Sequence, residues 1–290
     1  MVQPFLTIAK GELLKWRLVQ ADSTTDNPPS NESRQCHHLQ FRDEAARMNP
    51  KAMEPFGRAL LAYANGDSSS DLLIRRDDGT ETVVPVSHFF REEPGFTEME
   101  REAIGLCRGG VLDIGAGAGS HSAVLQRKGH IVTALDISPE AVVVARRRGV
   151  ADVVCADILS FERGPFDTLL MLGHGIGMSE TIRGLNRFLI HAYSLSGAHG
   201  QLLLDSLDVR ATDDPANLAY HKANQNAGRY IGEVRLQFEF QGQKGPFCGW
   251  LHVDAKTLRE HSESAGWQCE VVHQGASGDY LARLTKCLPA

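Results

Sequence analysis

The chain has 290 residues, with 30 Lys and Arg against 36 Asp and Glu, a net charge of −6 and a hydrophobic content of 42%. These values are ordinary for a globular protein and exclude collagen-like, coiled-coil and wholly disordered chains. At about 150 residues per domain, the length predicts one or two domains. A pI near 6.1 argues against nucleic acid as a partner, because that affinity depends on clustered Lys and Arg.

Cysteine usage and hydropathy predict where the protein works. The six cysteines include no CxxC pair and show no short regular spacing, which favours reduced thiols. No apolar run approaches the roughly 20 residues that cross a bilayer, and the first residues lack the pattern of a signal peptide. We therefore expect a cytoplasmic protein without a membrane anchor.

Residues 1–47 are expected to form a poorly structured N-terminal extension. Positions 20–35 contain almost nothing that could enter a core, so their ordering would not be offset by burial. Cys36-His37-His38 could suggest a metal, but three residues in this region are a weak signal, and we predict no metal site.

Residues 48–107 are expected to form an N-terminal lid with elements that contact the substrate. The pattern predicts a helix over 55–64 and a hairpin over 72–86 around Asp78-Gly79. A further helix is predicted from Thr97 to Cys107, with Glu100 completing a capping box.

Residues 108–290 are expected to form the main domain. Strands and helices alternate from Gly110 to 207, which predicts a parallel sheet with helices on both faces. After 207 the alternation breaks, and we predict an insertion over 208–253 that begins with a polar stretch and contains a β-hairpin. A helix and two final strands follow.

The most informative motif is VLDIGAGAGS at 111–120, a buried strand that breaks into a loop with glycine at 115, 117 and 119. Glycine lets a ligand approach the backbone closely. The dinucleotide fingerprint GxGxxG would need glycine at 120, where this chain has Ser120. Asp113 would repel a pyrophosphate but attract an ammonium group. The motif therefore favours a cofactor that carries an amine.

With this loop, the chain resembles the class I S-adenosylmethionine (SAM)-dependent methyltransferases of the bacterial small-molecule type, over about residues 108–286. The resemblance implies a Rossmann-like three-layer α/β/α sandwich, with a mainly parallel seven-stranded sheet whose last strand is antiparallel. It implies that Asp113 and the loop hold the methionine part of SAM, that Asp136 binds the ribose and that Asp157 meets the adenine amino group. The complete set of implied cofactor residues is Asp113, Gly115, Ala116, Gly117, Gly119, His121, Asp136, Ile137, Asp157, Ile158 and Leu172.

Methyl transfer from a sulfonium is an in-line displacement, so the protein mainly aligns the reactants and excludes water. A base is needed only where the acceptor is protonated. His174 follows the fourth strand of the domain, where the methyl group is expected, and is the candidate base; a structural role in the turn is the alternative. Candidate substrate residues from the lid and the insertion are Phe90, Arg91, Tyr220, His221 and Tyr230.

Several acceptor classes lack their sequence signals. The residues after the fourth strand read LGHG, not the (D/N)PP(Y/F) of enzymes that methylate exocyclic amino groups of bases, and no Pro-Cys pair for cytosine C5 methylation exists. No carboxylate cluster for Mg²⁺ is evident. The remaining prediction is a small-molecule or peptide acceptor held between the lid and the insertion, with oxygen or nitrogen favoured by His174, and S-adenosylhomocysteine as the other product.

Two other functions stay open at this point. An NAD(P)-dependent oxidoreductase shares the glycine-rich turn, and a non-catalytic SAM-binding module would share every cofactor position. Turnover to S-adenosylhomocysteine separates the binding module from the enzyme. The run Arg146-Arg147-Arg148 is interpreted as a solvated helix end that complements the helix dipole. We expect Asp136→Ala to weaken SAM binding and His174→Ala to slow turnover more than it weakens SAM binding.

Overall fold

The computed structural model describes residues 48–287. The extension over 1–47, including Cys36-His37-His38, lies outside the described residues. The seven α-helices of the described part are α1 (Glu54–Ala64), α2 (Glu98–Leu106), α3 (Ser120–Arg127), α4 (Pro139–Arg147), α5 (Ile182–Leu195), α6 (Pro215–Asn226) and α7 (Ala255–Ser264).

The strands of residues 48–287 form two sheets. The first six are β1 (Asp71–Arg76), β2 (Glu81–Pro85), β3 (Gly110–Ile114), β4 (Ile131–Asp136), β5 (Asp152–Cys155) and β6 (Phe166–Met171). The others are β7 (Ser196–Leu207), β8 (Glu233–Phe240), β9 (Gln243–Lys244), β10 (Cys248–Leu251), β11 (Trp267–Gln274) and β12 (Asp279–Lys286).

The larger sheet has seven strands in the order β11-β12-β7-β6-β3-β4-β5. The five strands from β7 to β5 are parallel, and β12 is antiparallel to both β7 and β11. Central strands of such a sheet are buried on both faces, and in β7 the consecutive side chains Leu202, Leu203 and Leu204 are all fully buried. The predicted Rossmann-like fold and its antiparallel last strand are confirmed.

Helices cover both faces of this sheet. One face packs on α5 and α7, where Trp267 is fully buried and its indole N–H donates to the Leu189 carbonyl at 3.0 Å. The other face packs on α2, α3 and α4. The carboxyl ends of the parallel strands therefore form one edge, where ligands bind in open α/β sheets.

The smaller, antiparallel sheet joins two segments that the sequence analysis treated as opposite walls. β1 and β2 form the predicted hairpin, and β1 pairs with β8 of the insertion, for example Ile74 with Phe238. β8 in turn pairs with β9 and β10. The expectation that the lid and the insertion are separate elements is therefore corrected, because they form one sheet. The insertion pairs with the edge of a hairpin that would be only marginally stable alone.

Local signals account for several helix ends. Thr97 and Glu100 form the predicted capping box of α2, and Ser138 caps α4 ahead of Pro139. The stretch after 207, interpreted as merely polar, contains α6, which begins with Asp214 as N-cap and Pro215. Within residues 48–287, no helix has the length and apolar character needed to cross a membrane.

Candidate active site

The glycine loop leaves β3 at the carboxyl edge of the large sheet. Gly115, Gly117 and Gly119 have φ values of 73°, 54° and 76°, which side chains rarely tolerate. The N–H groups of Gly115 and Ala116 both donate to the Leu135 carbonyl, at 2.8 and 3.0 Å. The loop is therefore fixed against the end of β4.

Asp136 ends β4 and organises the loop beside it. Its Oδ2 accepts the Gly117 N–H and its Oδ1 accepts the Ser138 N–H, each at 2.8 Å. Burial raises the pKa of Asp136 to about 6, although these backbone hydrogen bonds favour the ionised form. The sequence analysis took Gly117 from the glycine loop and Asp136 and Ile137 from the end of the next strand, and the structure brings Asp136 and Gly117 together.

Asp113 lies deeper, inside β3. Its side chain is 2% exposed, and its Oδ2 accepts the Ser122 hydroxyl at 2.5 Å. Burial raises the pKa of Asp113, opposed by the charge of His121 and the hydrogen bond from Ser122. Asp113 thus couples the strand before the loop to the helix after it.

His121, in the first turn of α3, belongs to a charged network. Its Nε2 lies 2.9 Å from Oε1 of Glu100, which also receives the guanidinium of Arg91 at 2.8 Å. Burial opposes the protonated imidazole, but the hydrogen bond to Glu100 and the charge of Asp113 outweigh it and raise the pKa of His121. A half-buried imidazole whose protonated form is favoured therefore lies beside the glycine loop.

Two further predicted cofactor positions have distinct surroundings. Asp157 follows β5 and is half-buried, and its Oδ1 accepts the Leu159 N–H at 2.7 Å, next to Ile158. Leu172 follows β6 and packs in the apolar cluster beneath α3. Asp157 and Ile158 thus lie at the carboxyl edge of the sheet, whereas the Leu172 side chain belongs to the core.

His174 is the centre of a buried polar cluster at the ends of β6 and β7. Its backbone is left-handed with φ 58°, and its N–H donates to the Asp205 carboxylate at 3.0 and 3.2 Å. Nε2 of the ring lies 3.6 Å from Oδ1 of Asp279, the first residue of β12. The His252 ring stands edge-on to it, with centroids 5.6 Å apart.

The sequence analysis missed Asp205, Asp279 and His252. Burial raises the pKa of Asp205, although the charge and the N–H of His174 favour its ionised form. Burial lowers the pKa of His252 to about 3, and the charge of His174 acts in the same direction. The position of Asp205 near the carboxyl end of a parallel strand was a usable signal, whereas Asp279 reaches the site from an antiparallel strand.

The predicted substrate residues make contacts within the protein. Phe90 packs on Tyr63, and Arg91 is held by Glu100. The Tyr220 hydroxyl donates to Asp77 and the Tyr230 hydroxyl donates to Asp254, each at 2.7 Å. His221 is buried on α6. The Arg91 guanidinium therefore bonds within the lid, Tyr220 joins the insertion to the lid, and Tyr230 joins the insertion to the N-cap of α7.

Arg148 corrects the interpretation of the arginine run as a solvated helix end. Its Nη1 donates to the Ala118 carbonyl and to Ser120 Oγ, both at 2.9 Å, and its guanidinium lies over the Phe90 ring. Arg148 is positioned to do this because α4 ends directly behind the glycine loop. It therefore ties that loop to the segment that precedes α2.

Within residues 48–287, no group of three or more His, Cys, Asp or Glu side chains is arranged to hold a metal ion.

Comparisons with known proteins agree with this geometry. Residues 111–191 match a family described as a methyltransferase domain. A SAM-dependent methyltransferase from Bacteroides fragilis, solved in complex with S-adenosyl-L-homocysteine, is 29% identical, with a TM-score of 0.73 over 83% of this chain and 98% of that one.

Two more distant structures share the fold. A SAM-dependent methyltransferase from Methanosarcina mazei is 17% identical, with a TM-score of 0.53 over 67% of this chain and 99% of that one. The CcbJ methyltransferase from Streptomyces caelestis is 12% identical, with a TM-score of 0.52 over 69% of this chain and 92% of that one.

The sheet order, the glycine loop and the acidic strand ends define a class I methyltransferase fold. With the family match, the chain is a SAM-dependent methyltransferase.

Proposed function

We propose that this enzyme transfers the methyl group of SAM to a small organic acceptor through an oxygen or nitrogen atom. The observation that carries the proposal is the shared strand-end edge, where the loop and Asp136 are fixed and His174 follows the adjacent strand β6. Bound SAM supplies an activated methyl group on a sulfonium.

The residues on this edge fit that cofactor. The Asp136 carboxylate, ionised above its pKa of about 6, is suited to accept hydrogen bonds from the ribose hydroxyls. The raised pKa of His121 favours a cation that would pair with the methionine carboxylate, and Asp113, whose Oδ2 accepts the Ser122 hydroxyl, would offer its carboxyl oxygens to the amine. Asp157 and Ile158 would hold the adenine.

The chain's own groups would supply alignment, exclusion of water and a place for a proton. Met178 covers the loop, because a Cβ on Gly115 would lie 2.9 Å from its methyl group, and Phe56 of α1 lies over Gly117. These side chains would keep water from the reacting centre. His174 is the candidate proton acceptor for a hydroxyl or an amine.

The oxidoreductase alternative is disfavoured by Ser120. Its hydroxyl donates to the Phe89 carbonyl at 2.8 Å and accepts from Arg148, so a built contact occupies the position of the third fingerprint glycine. The non-catalytic module is the alternative that binding alone does not remove.

Parallel calorimetric titrations with SAM, S-adenosyl-L-homocysteine and NAD(H) test the proposal. We expect saturable binding of the two adenosyl ligands and none of NAD(H). Release of S-adenosyl-L-homocysteine should then be screened with hydroxyl and amine acceptors. Binding of NAD(H) alone would overturn the cofactor assignment, and adenosyl binding without turnover on any acceptor would favour the non-catalytic module.

A further inference from the structure

The cluster around His174 contains more charge than a turn requires. The His174 side chain is 9% exposed, and carboxylates from two strands approach the residue: Asp205 from β7 at its backbone N–H and Asp279 from β12 near Nε2. None of the proposed cofactor contacts uses Asp279. These groups therefore need an explanation of their own.

The two ring nitrogens of His174 have different surroundings. Nε2 faces the Asp279 carboxylate at 3.6 Å, a distance at which the attraction is electrostatic and favours the proton on Nε2. Nδ1 is buried and has no hydrogen-bond partner among residues 48–287. Because buried polar atoms are normally satisfied, an orphaned nitrogen beside the proposed transfer site indicates a ligand that supplies the partner.

The backbone fixes this arrangement. His174 holds a left-handed conformation while its N–H is bound by Asp205, so the ring is presented from a rigid turn. The groups facing the ring come from three elements: Asp205 on β7, Asp279 on β12 and His252 after β10. Glu100 and His121 act on Asp205 from farther away.

Resting on the proposed function, we propose that Asp279 is a positioning residue that holds the His174 proton on Nε2, so that Nδ1 receives a proton from the acceptor. The acceptor is then a compound whose nucleophile carries that proton, a hydroxyl or an ammonium group. The acceptor's X–H bond breaks, its electron pair stays on X, and an N–H bond forms at Nδ1. Asp279 balances the resulting imidazolium, whose proton passes to water on release.

Histidine NMR tests this inference without knowledge of the acceptor. In the full-length protein labelled with ¹⁵N-histidine, two-bond ¹H–¹⁵N spectra show which ring nitrogen carries the proton, and His174→Gln identifies the signal. We expect the neutral wild-type ring to be protonated at Nε2. A neutral ring protonated at Nδ1 would overturn the proposal, and this measurement requires no variant of Asp279.

Substitution of Asp279 separates positioning from mere structural support. Loss of this carboxylate should lower the ratio of Nε2-protonated to Nδ1-protonated neutral His174 in Asp279→Asn, with Asp279→Glu restoring much of it. Glu270→Gln on neighbouring β11, where the side chain pairs with Arg283, is the matched control. A folded Asp279→Asn variant with the wild-type ratio would refute the role, even if its melting temperature fell.

Calorimetry on the same proteins keeps the two proposals distinguishable. SAM affinity should stay within about twofold of wild type in Asp279→Asn, because Asp279 touches no proposed cofactor residue. If the wild type itself fails to bind SAM, the proposed function fails, while the protonation of His174 still reports on the pair with Asp279. Once an acceptor is found, kcat should fall more than KM changes in Asp279→Asn, and a kcat equal to wild type would contradict the proposal.

Discussion

Asp136→Asn is the substitution that most directly examines the cofactor site. The carboxylate now accepts two backbone N–H groups, from Gly117 and Ser138, at 2.8 Å each. An amide of the same shape keeps one acceptor oxygen and turns an N–H₂ group toward the other donor. One buried N–H is left unsatisfied, which should lower the free energy of unfolding by about 1–3 kcal/mol.

The effect on SAM should be larger than the effect of loop disturbance alone. Charge-assisted hydrogen bonds contribute roughly 1.5–3 kcal/mol each, about twice their neutral counterparts. Replacing two such bonds to the ribose by weaker ones should cost about 1.5–3 kcal/mol, so the Kd for SAM should rise roughly 10- to 100-fold. Isothermal titration at pH 7.5, with chemical denaturation of the same sample, measures both quantities.

The control is Asp152→Asn at the amino end of neighbouring β5. The Asp152 carboxylate bonds to Arg163 and Thr133, away from the carboxyl edge of the sheet. The Asp152→Asn substitution should therefore leave the Kd for SAM within about twofold of wild type. A folded Asp136→Asn protein with wild-type affinity would refute the ribose assignment.

The pH dependence supplies a second test of the same residue. Because burial raises the pKa of Asp136 to about 6, its carboxylate is neutral in more of the molecules as pH falls through 6. The pH dependence of folding stability has the opposite sign to that of SAM binding. Because the pKa of Asp136 is raised in the folded state, this residue stabilises the fold below its ordinary pKa, and the contribution is lost as pH rises through 6. SAM affinity should therefore fall below pH 6 in the wild type, and this decline should be absent in Asp136→Asn.

Two further substitutions probe the loop. Arg148→Met removes the donors to Ala118 and Ser120 and should raise the Kd for SAM several-fold. Arg147→Met, which removes a bond to exposed Asn65, should leave the Kd for SAM unchanged. Equal titration curves for the two variants would show that Arg148 does not hold the glycine loop in place. Gly119→Ala should lower the free energy of unfolding by about 2–4 kcal/mol, because φ is 76° and the added Cβ would lie 2.9 Å from Val150. Gly129 also has a positive φ, but a Cβ added there would meet no described atom within 4 Å, so Gly129→Ala should lower the free energy of unfolding by only about 1–2 kcal/mol. Denaturation curves that show equal losses for Gly119→Ala and Gly129→Ala would mean that the contact with Val150 is unimportant.

Local patterns were sufficient to predict the glycine loop and the acidic residues at the ends of the strands. The glycine spacing and the acids at the ends of β4 and β5 are short-range signals, because a loop that approaches a ligand needs particular residues at fixed offsets. The capping residues Thr97 and Ser138 were readable for the same reason.

Long-range contacts were beyond the reach of those patterns. Pairing of β1 with β8, and the approach of Asp279 to His174, depend on which distant segments meet. Arg148 was misread because an arginine at a helix end is usually solvated, and only the loop packed behind α4 gives it carbonyl and hydroxyl partners. Helix α6 was missed because its buried face is made of polar residues, including Asn217 and Asn224.

The shared antiparallel sheet also sets an order of events during synthesis. β1 is complete by residue 76, but its partner β8 ends only at residue 240, after the parallel core of the large sheet has been made. A two-stranded hairpin is marginal in water, so β1 and β2 gain a lasting structure only when the insertion arrives. Contacts between segments so far apart in the chain are slow to form. The small sheet therefore assembles only after strands β3 to β7 have been made, and β11 and β12 of the large sheet are synthesised after it.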